Sequence, residues 1–212
     1  ETDVHLIITE DAYIPVWGTY ITTPSVNEKF AKVNVRTKVV LPEGADPAKY
    51  SVETSVWNPN KQKLTAVRTS LAQMKYNNNQ AEQEFVIQAP SLWSPEMPAL
   101  YSAETRLYEG DKLKDIYTTP FGIRSIEIIP DKGFFLNGKR TVFKGVCNHH
   151  DLGPLGAAVN DAAIRRQIRI LKDMGCNAIR TSHNMPAPEL IRACDEMGMM
   201  VTVSYTHLRS PR

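Results

Sequence analysis

The sequence lacks the features that mark several large classes of protein. Its three cysteines, Cys147, Cys176 and Cys194, all lie in the last third of the 212 residues and have no CxxC spacing, which argues against a disulfide framework and a zinc ribbon. No stretch approaches the roughly 18 to 20 apolar residues that a membrane-spanning helix needs. The N-terminal run ETDVHLIITE has neither a basic start nor a cleavage-type ending, so we expect no signal peptide within it. Because the three cysteines lack the spacing of disulfide or zinc motifs, their thiols are expected to be free and buried.

Charge of one sign is also missing as a block. The chain has 25 lysines and arginines against 23 aspartates and glutamates, and neither sign clusters. We therefore expect neither a nucleic-acid partner nor an anionic membrane surface as a partner. What is present, 42% hydrophobic and 23% charged residues, is typical of a folded globular protein.

The first part of the chain, to about Ile129, has a period of two. In AKVNVRTKVVL, the side chains of Val33, Val35, Thr37 and Val39 fall on one face of an extended strand and the polar ones on the other. Similar runs are YSVETSVW, KLTAVRTS, QEFVIQ, LYSAETRLY and FGIRSIEII, separated by turn formers such as Asn58-Pro59-Asn60, Asn77-Asn78-Asn79 and Glu109-Gly110-Asp111. Short strands joined by short loops predict a two-sheet sandwich of immunoglobulin type.

The last part of the chain has a mixed period. The run GFFLNGKRTVF predicts a hairpin with a type I′ turn at Asn137-Gly138. Next come a strand at 141–147, a helix capped by Asn160 or Asp161 and ended by Gly175, a strand at 177–180, a helix from Pro188 to Gly198, and a strand at 199–203. We expect Ile164, Ile168, Leu171 and Met174 to face inward on the first helix, and Leu190, Ile191, Cys194 and Met197 on the second.

Alternating strands and helices predict a parallel sheet with right-handed crossovers. The loops lack the G-x-G-x-x-G and Walker patterns of nucleotide-binding open sheets, which favours a (β/α)8 barrel. A complete barrel takes about 250 residues, so we expect only its first part here.

Polar side chains follow two neighbouring strands of this predicted barrel. The first strand runs into Asn148, His149, His150 and Asp151, and the second carries Arg180 and runs into Ser182, His183 and Asn184. Active sites of such barrels lie at the carboxyl ends of the strands, so these side chains are the candidate site. Imidazole, amide and guanidinium groups bind sugar hydroxyls through directional hydrogen bonds, and a guanidinium also orients a carboxylate.

Other interpretations of the same residues stay open. His150 and Asp151 are equally well explained as residues that cap helices and satisfy loop carbonyls. A three-ligand zinc site is disfavoured because adjacent His149 and His150 do not easily face one ion, and a serine triad at Ser182 lacks the G-x-S-x-G elbow. The tryptophans at 17, 57 and 93 are not assigned as sugar-binding platforms. Trp57 and Trp93 lie next to turn elements, and at least one of these two is interpreted as a core or interface residue.

The long run FFLNGKRTVFKGVCNHHDLGPLGAAVNDAAIRRQIRILKDMGCNAIRTSHNMPAPELIRACDEMG resembles the start of the barrel in glycoside hydrolase family 2, most closely its bacterial β-galactosidases. VHLIITEDAYIPVWGTYITTPSV, LWSPEMPALYSAETRLY and FGIRSIEI resemble the family's immunoglobulin-like domain. The resemblance extends from about Val4 to Val201. It implies the end of a jelly-roll domain at 1–12, the sandwich at 13–126, the first part of the TIM barrel at 127–203, and an unmatched tail at 204–212.

The resemblance implies retaining hydrolysis of terminal β-galactosides by two glutamates, which follow the fourth and seventh barrel strands and are not expected in this chain. The chain itself is then expected to be inactive. His149 and His183 are implied as substrate contacts, Arg180 as the group that orients the nucleophile, and Asn148, Asp151 and Asn184 as weaker candidates. Where the family continues into an Asp-Glu motif, this chain reads VTVSYTHLRSPR, so His207 and Arg209 receive no role.

Alternative functions are a β-glucuronidase or β-mannosidase of the same family, or a non-catalytic carbohydrate-binding or interaction module. The expected partner is a β-galactoside or another oligosaccharide, with no metal or cofactor. The longer protein to which the chain is expected to belong could form a homo-oligomer, and the sequence leaves its location open between periplasmic, secreted and cytoplasmic.

Overall fold

The computed structural model describes residues 6–72, 80–182 and 185–204, which form two compact units. One unit comprises Leu6–Leu92 and Ala99–Ile126, and the other contains Trp93–Pro98 together with the chain from Glu127 onward. The predicted turn at 77–79, the candidates His183 and Asn184, and residues 205–212 of the tail lie outside the described residues. No helix within those ranges is long and apolar enough to cross a membrane.

The first unit is a sandwich of two antiparallel sheets. Its strands are β1 (Thr19–Val26), β2 (Phe30–Lys38), β3 (Tyr50–Trp57), β4 (Lys63–Ser70), β5 (Gln80–Gln88), β6 (Leu100–Glu109) and β7 (Lys112–Gly122). Within the described residues, one sheet has the order β1-β2-β5 and the other β4-β3-β6-β7. The alternation predicted for β2 is confirmed, because Val33, Val35, Thr37 and Val39 are all buried.

The predicted strand FGIRSIEII is divided in two in the structure. Strand β7 ends at Gly122, and a separate strand, β8 (Ile126–Ile129), follows. Gly122 is the partner of Leu100, where β6 begins, so the pairing of β7 with β6 stops at that point. The carbonyl of Arg124 instead accepts a hydrogen bond from the Thr23 hydroxyl at 3.3 Å. The end of the partner strand therefore ends β7.

The second unit begins with a hairpin and continues as a parallel β/α segment. Its further elements are β9 (Gly133–Leu136), β10 (Lys139–Arg140), β11 (Gly145–Asn148), α1 (Asp161–Asp173), β12 (Ala178–Ser182), α2 (Pro188–Met197) and β13 (Met200–Ser204). The type I′ turn is confirmed, since Asn137 and Gly138 both have positive φ between paired Leu136 and Lys139. Strands β11, β12 and β13 pair in parallel in that order, as the alternating pattern predicts.

The caps of the two helices agree with the sequence. The Asn160 side chain accepts a hydrogen bond from the Ala163 amide at 2.9 Å, which identifies Asn160 rather than Asp161 as the cap of α1. Pro188 occupies the first turn of α2, and Gly198 ends it in the left-handed conformation. Ile164, Ile168 and Leu171 of α1 pack with Cys194 and its neighbours in one core.

Three expectations for this unit are wrong. Met174 is 68% exposed, because α1 ends at Asp173 and Met174 already belongs to the cap. Cys147 is exposed rather than buried, while Cys194 is buried and Cys176 lies between. The first barrel strand begins at Gly145 instead of 141, because the Asn177 side chain holds the preceding segment by bonding the Lys144 amide and the Val142 carbonyl.

The segment Trp93–Pro98 packs against the helices of the second unit. The buried Trp93 indole donates to the Asp195 carbonyl at 2.8 Å, and the Trp93 backbone carbonyl accepts from Asn137 Nδ2 at 3.0 Å. The Lys172 ammonium donates to the carbonyls of Pro95 and Gly198. Trp93 is thus a packing residue, as predicted for at least one of the tryptophans, whereas Trp17 is largely exposed.

Candidate active site

The carboxyl ends of β11 and β12 lie side by side, as the sequence predicts. The two strands are paired in register, with Cys147 opposite Arg180 and Asn148 opposite Thr181. The loop that carries His149 therefore leaves the sheet next to the strand that carries Arg180. The structure brings these two predicted site segments together at one edge of the sheet.

Arg180 lies on the face of the sheet that is turned away from the helices. Its neighbours in β12, Ile179 and Thr181, are buried, and Ile179 belongs to the core formed with α1 and α2. Because side chains alternate along a strand, Arg180 projects from the opposite face, which is the interior face in a β/α barrel. There its Nη1 donates to Cys147 Sγ at 3.4 Å.

Asn148 takes the other direction. Its amide group and that of Gln167 in α1 are bonded reciprocally, Nδ2 to Oε1 at 3.3 Å and Nε2 to Oδ1 at 3.2 Å. These two bonds tie the end of β11 to the helix behind it. Asn148 thus helps to place the following loop, and a direct contact of its amide with a sugar stays a prediction.

The loop after β11 is exposed. Asp151 accepts a hydrogen bond from the Gly153 amide at 2.8 Å and so stabilises the start of a short 3-10 helix, Gly153–Leu155. This contact favours the loop-stabilising interpretation of Asp151 over a substrate-binding one. His149 and His150 are both exposed at the end of the strand, where His149 is well placed to meet a solute.

A cavity of about 330 Å³ lies beneath this loop, on the helix side of the strands. Most of its lining is apolar and comes from the loop after β11, from α1 and from the start of α2. Its lining residues include Asn148, His149, His150, Asp151, Leu152, Val159, Ile164, Thr181, Ser182, Met185 and Leu190. Arg180 is not among them. The cavity and Arg180 are therefore separate features of this strand edge.

The Cys194 thiol is held in its protonated form by its buried surroundings. Burial, followed by the nearby charge of Asp195, raises the pKa of Cys194 to about 12, so that its reactive thiolate is scarce at neutral pH. In the part of the chain that the structure describes, no three side chains of histidine, cysteine, aspartate or glutamate are grouped as metal ligands.

The sequence interpretation overlooked two residues that contact the candidate site. The sequence predicts a buried thiol for Cys147, and it gives no signal for Gln167. Both residues become visible only through strand pairing and alternation. Cys147 lies one position before the end of β11 and is the pairing partner of Arg180. Asn148 must then face α1, where it meets Gln167.

Two family models match the chain. Residues 13–124 match "Glycosyl hydrolases family 2", and residues 127–207 match "Glycosyl hydrolases family 2, TIM barrel domain". Among similar proteins, a β-galactosidase of Bacteroides ovatus is 42% identical over 94% of this chain and 23% of its own length. A putative β-glucuronidase of Formosa agariphila is 37% identical over 86% of this chain and 17% of its own length.

Solved structures agree with the family models. A glycosyl hydrolase family 2 member from Bacteroides cellulosilyticus has a TM-score of 0.83 and 36% identity over 93% of this chain and 27% of that one. The chain thus spans about a quarter or less of the length of these relatives. The predicted fold class is confirmed: an immunoglobulin-like β-sandwich followed by the first part of a (β/α)8 TIM barrel.

Proposed function

The chain belongs to glycosyl hydrolase family 2, and from this premise we propose that it is part of a retaining β-glycosidase that acts on terminal β-galactosides. The observation that supports this choice of sugar is the 42% identity to the β-galactosidase of B. ovatus, which extends over both units of the chain. The Formosa agariphila relative supports a β-glucuronidase as the second candidate.

In this proposal the chain supplies one wall of the active site. Arg180, on the interior face of the sheet, orients the carboxylate nucleophile through paired N–H donors. His149, at the end of β11, and His183, which lies outside the described residues, bind sugar hydroxyls. The domain bounds suggested by the sequence, with the sandwich at 13–126 and the barrel at 127–203, belong to the same proposal.

The chemistry itself needs two carboxyl groups about 5 Å apart, one as nucleophile and one as acid/base. Among the described strand ends, the loop after β11 offers Asp151, whose carboxylate is engaged by the Gly153 amide. We propose that both catalytic glutamates come from other parts of the polypeptide. The chain by itself then binds or positions substrate groups without turning substrate over.

The test compares this chain with the product of the complete open reading frame around it. Both are assayed with chromogenic β-galactoside, β-glucuronide and β-mannoside, and proton NMR follows the anomeric configuration of the first sugar released. We expect β-galactoside hydrolysis with retention by the complete product and none by the chain alone. If the glucuronide or the mannoside is cleaved faster, the enzyme is a β-glucuronidase or a β-mannosidase instead of a β-galactosidase. Binding without hydrolysis would favour a non-catalytic module.

A control variant tests whether the catalytic glutamates come from other parts of the polypeptide. If the purified chain hydrolyses the β-galactoside and His183→Ala abolishes that activity, a complete site exists within these 212 residues and the proposal is wrong.

A further inference from the structure

We propose that Cys147 is a positioning residue that holds the Arg180 guanidinium on the interior face of the barrel. The inference rests on the proposed function, in which Arg180 orients the nucleophilic carboxylate. The two residues are direct partners in the parallel pair of β11 and β12, and Arg180 Nη1 lies 3.4 Å from Cys147 Sγ.

The position of Cys147 makes this contact a consequence of the fold. Asn148 faces α1 through its amide pair with Gln167, so the preceding side chain must face away from the helices. Arg180 faces the same way, because the neighbouring Ile179 packs in the core with α1 and α2 and side chains alternate along a strand. Pairing in register then places sulfur and guanidinium side by side without any further adjustment.

The chemistry of sulfur suits a guanidinium that must also meet a carboxylate. A thiol is neutral and a weak hydrogen-bond acceptor, whereas a guanidinium carries five N–H donors in a rigid fork. An acidic side chain at 147 would form an ion pair with Arg180 and compete with the nucleophile, and an aliphatic one would leave its Nη1 without this acceptor. Cys147 anchors the plane of the guanidinium while competing little for its charge.

The contact itself is tested on this chain by NMR of the arginine side chains, with the Arg180 guanidinium signals assigned through Arg180→Lys. We expect Cys147→Val to shift and broaden these signals and Cys147→Ser, which keeps a small acceptor, to preserve them. Cys176→Val serves as the control, because it removes a thiol that lies partly buried in the helix-side core. Unchanged Arg180 signals in Cys147→Val, with native circular dichroism, would overturn the proposed contact.

The catalytic consequence is tested on the complete open reading frame product. A nearby guanidinium lowers the pKa of a carboxylate, so displacing Arg180 should raise the pKa of the nucleophile. The acidic limb of the kcat/KM profile reports the pKa of that group in the free enzyme. We expect Cys147→Val to move this limb to higher pH and to lower kcat/KM about tenfold to a hundredfold, as small misplacements of catalytic groups do. Cys147→Ser should keep the acidic limb and kcat/KM close to the wild-type values.

The outcomes separate the two proposals. If the complete product hydrolyses a β-glycoside and Cys147→Val leaves the acidic limb where it was, the positioning role is wrong and the proposed function stands. If the complete product hydrolyses none of the three glycosides, the proposed function fails, and with it the catalytic role of Cys147, whatever the NMR result.

Discussion

At the scale of single residues, Lys114 joins the N-terminal segment to the sandwich. Its side chain is 5% exposed, and its ammonium lies 2.6 Å from Glu10, 2.8 Å from Asp11 and 3.7 Å from Glu109. The hydrogen bonds from Lys114 lower the pKa of both Glu10 and Asp11, and those carboxylates, Asp11 foremost, raise the pKa of Lys114. The segment before β1 is thus held by charge as well as by packing.

This cluster should make the stability of the sandwich depend on acid pH. Because the hydrogen bonds from Lys114 hold the folded pKa values of Glu10 and Asp11 below their ordinary values, the contribution of these carboxylates to stability is present at neutral pH and is lost as pH falls through the folded values. The raised pKa of Lys114 does not change the stability in this acidic range, because the contribution of the charged Lys114 is lost only at high pH. Between about pH 5 and pH 3 we expect the thermal midpoint of the wild type to fall more steeply than that of Lys114→Met.

The control for this measurement is Lys112→Met, because Lys112 is more exposed and contacts only Glu10 of the pair, at 3.2 Å. Its effect on the slope should be smaller, as expected for an exposed ion pair. Parallel pH curves for wild type and Lys114→Met, measured by calorimetry, would contradict the role given to Lys114.

At the scale of elements, the ends of the two helices differ in one respect. Gly175 follows α1 with φ of +87°, and Gly198 follows α2 with φ of +77°. A Cβ at Gly175 would meet no atom within 4 Å, whereas a Cβ at Gly198 would come 2.3 Å from the Pro95 carbonyl oxygen. The same carbonyl accepts from Lys172 at 2.8 Å. The second helix therefore ends against the segment Trp93–Pro98.

Alanine at the two glycines separates backbone strain from this contact. Gly175→Ala should cost about 1 to 2 kcal/mol, the usual penalty for a left-handed conformation. Gly198→Ala should cost clearly more, because Pro95 and the backbone around it must also move. Hydrogen–deuterium exchange of peptides covering α1 and α2, measured across a urea series, reports both losses. Equal losses of stability in the two variants would mean that Pro95 moves aside at little cost and that the segment Trp93–Pro98 does not fix the end of α2.

At the scale of the whole molecule, the chain exposes apolar surface near the start of the parallel sheet. Among the described strands, β11 pairs only with β12, and the exposed fractions at and before it are 58% for Val142, 48% for Phe143 and 37% for Val146. An open strand edge with apolar side chains promotes pairing with other chains. Self-association is the expected behaviour of the isolated chain.

Light scattering over a concentration series checks this expectation. Val146→Lys should reduce the association and the binding of a hydrophobic dye, because a charge on an edge strand opposes further pairing. Ile170→Lys is the matched control: Ile170 is similarly exposed, at 42%, but lies on α1. A chain that stays monomeric throughout, or an equal effect of both substitutions, would show that the edge of β11 does not drive association.

Local patterns were enough to predict most of the elements. The alternation in β2, the Asn137-Gly138 turn, the cap at Asn160 and the glycine after α2 each depend on residues a few positions apart, and all are confirmed. The order of strands and helices likewise predicted that the ends of β11 and β12 meet. The roles of His149, Arg180 and His183 in sugar binding stay predictions.

The amino-acid sequence by itself determined the family, the two kinds of unit and the segments that carry the candidate site, because periodicity and motifs are written in neighbouring residues. Only the tertiary structure decided that Arg180 faces away from the helices beside Cys147, that Asn148 turns towards Gln167, and that β11 begins at Gly145. Those outcomes depend on hydrogen bonds between residues 19 to 35 positions apart in the chain. Many polar side chains of the sequence could form such bonds, and the fold decides which of them meet.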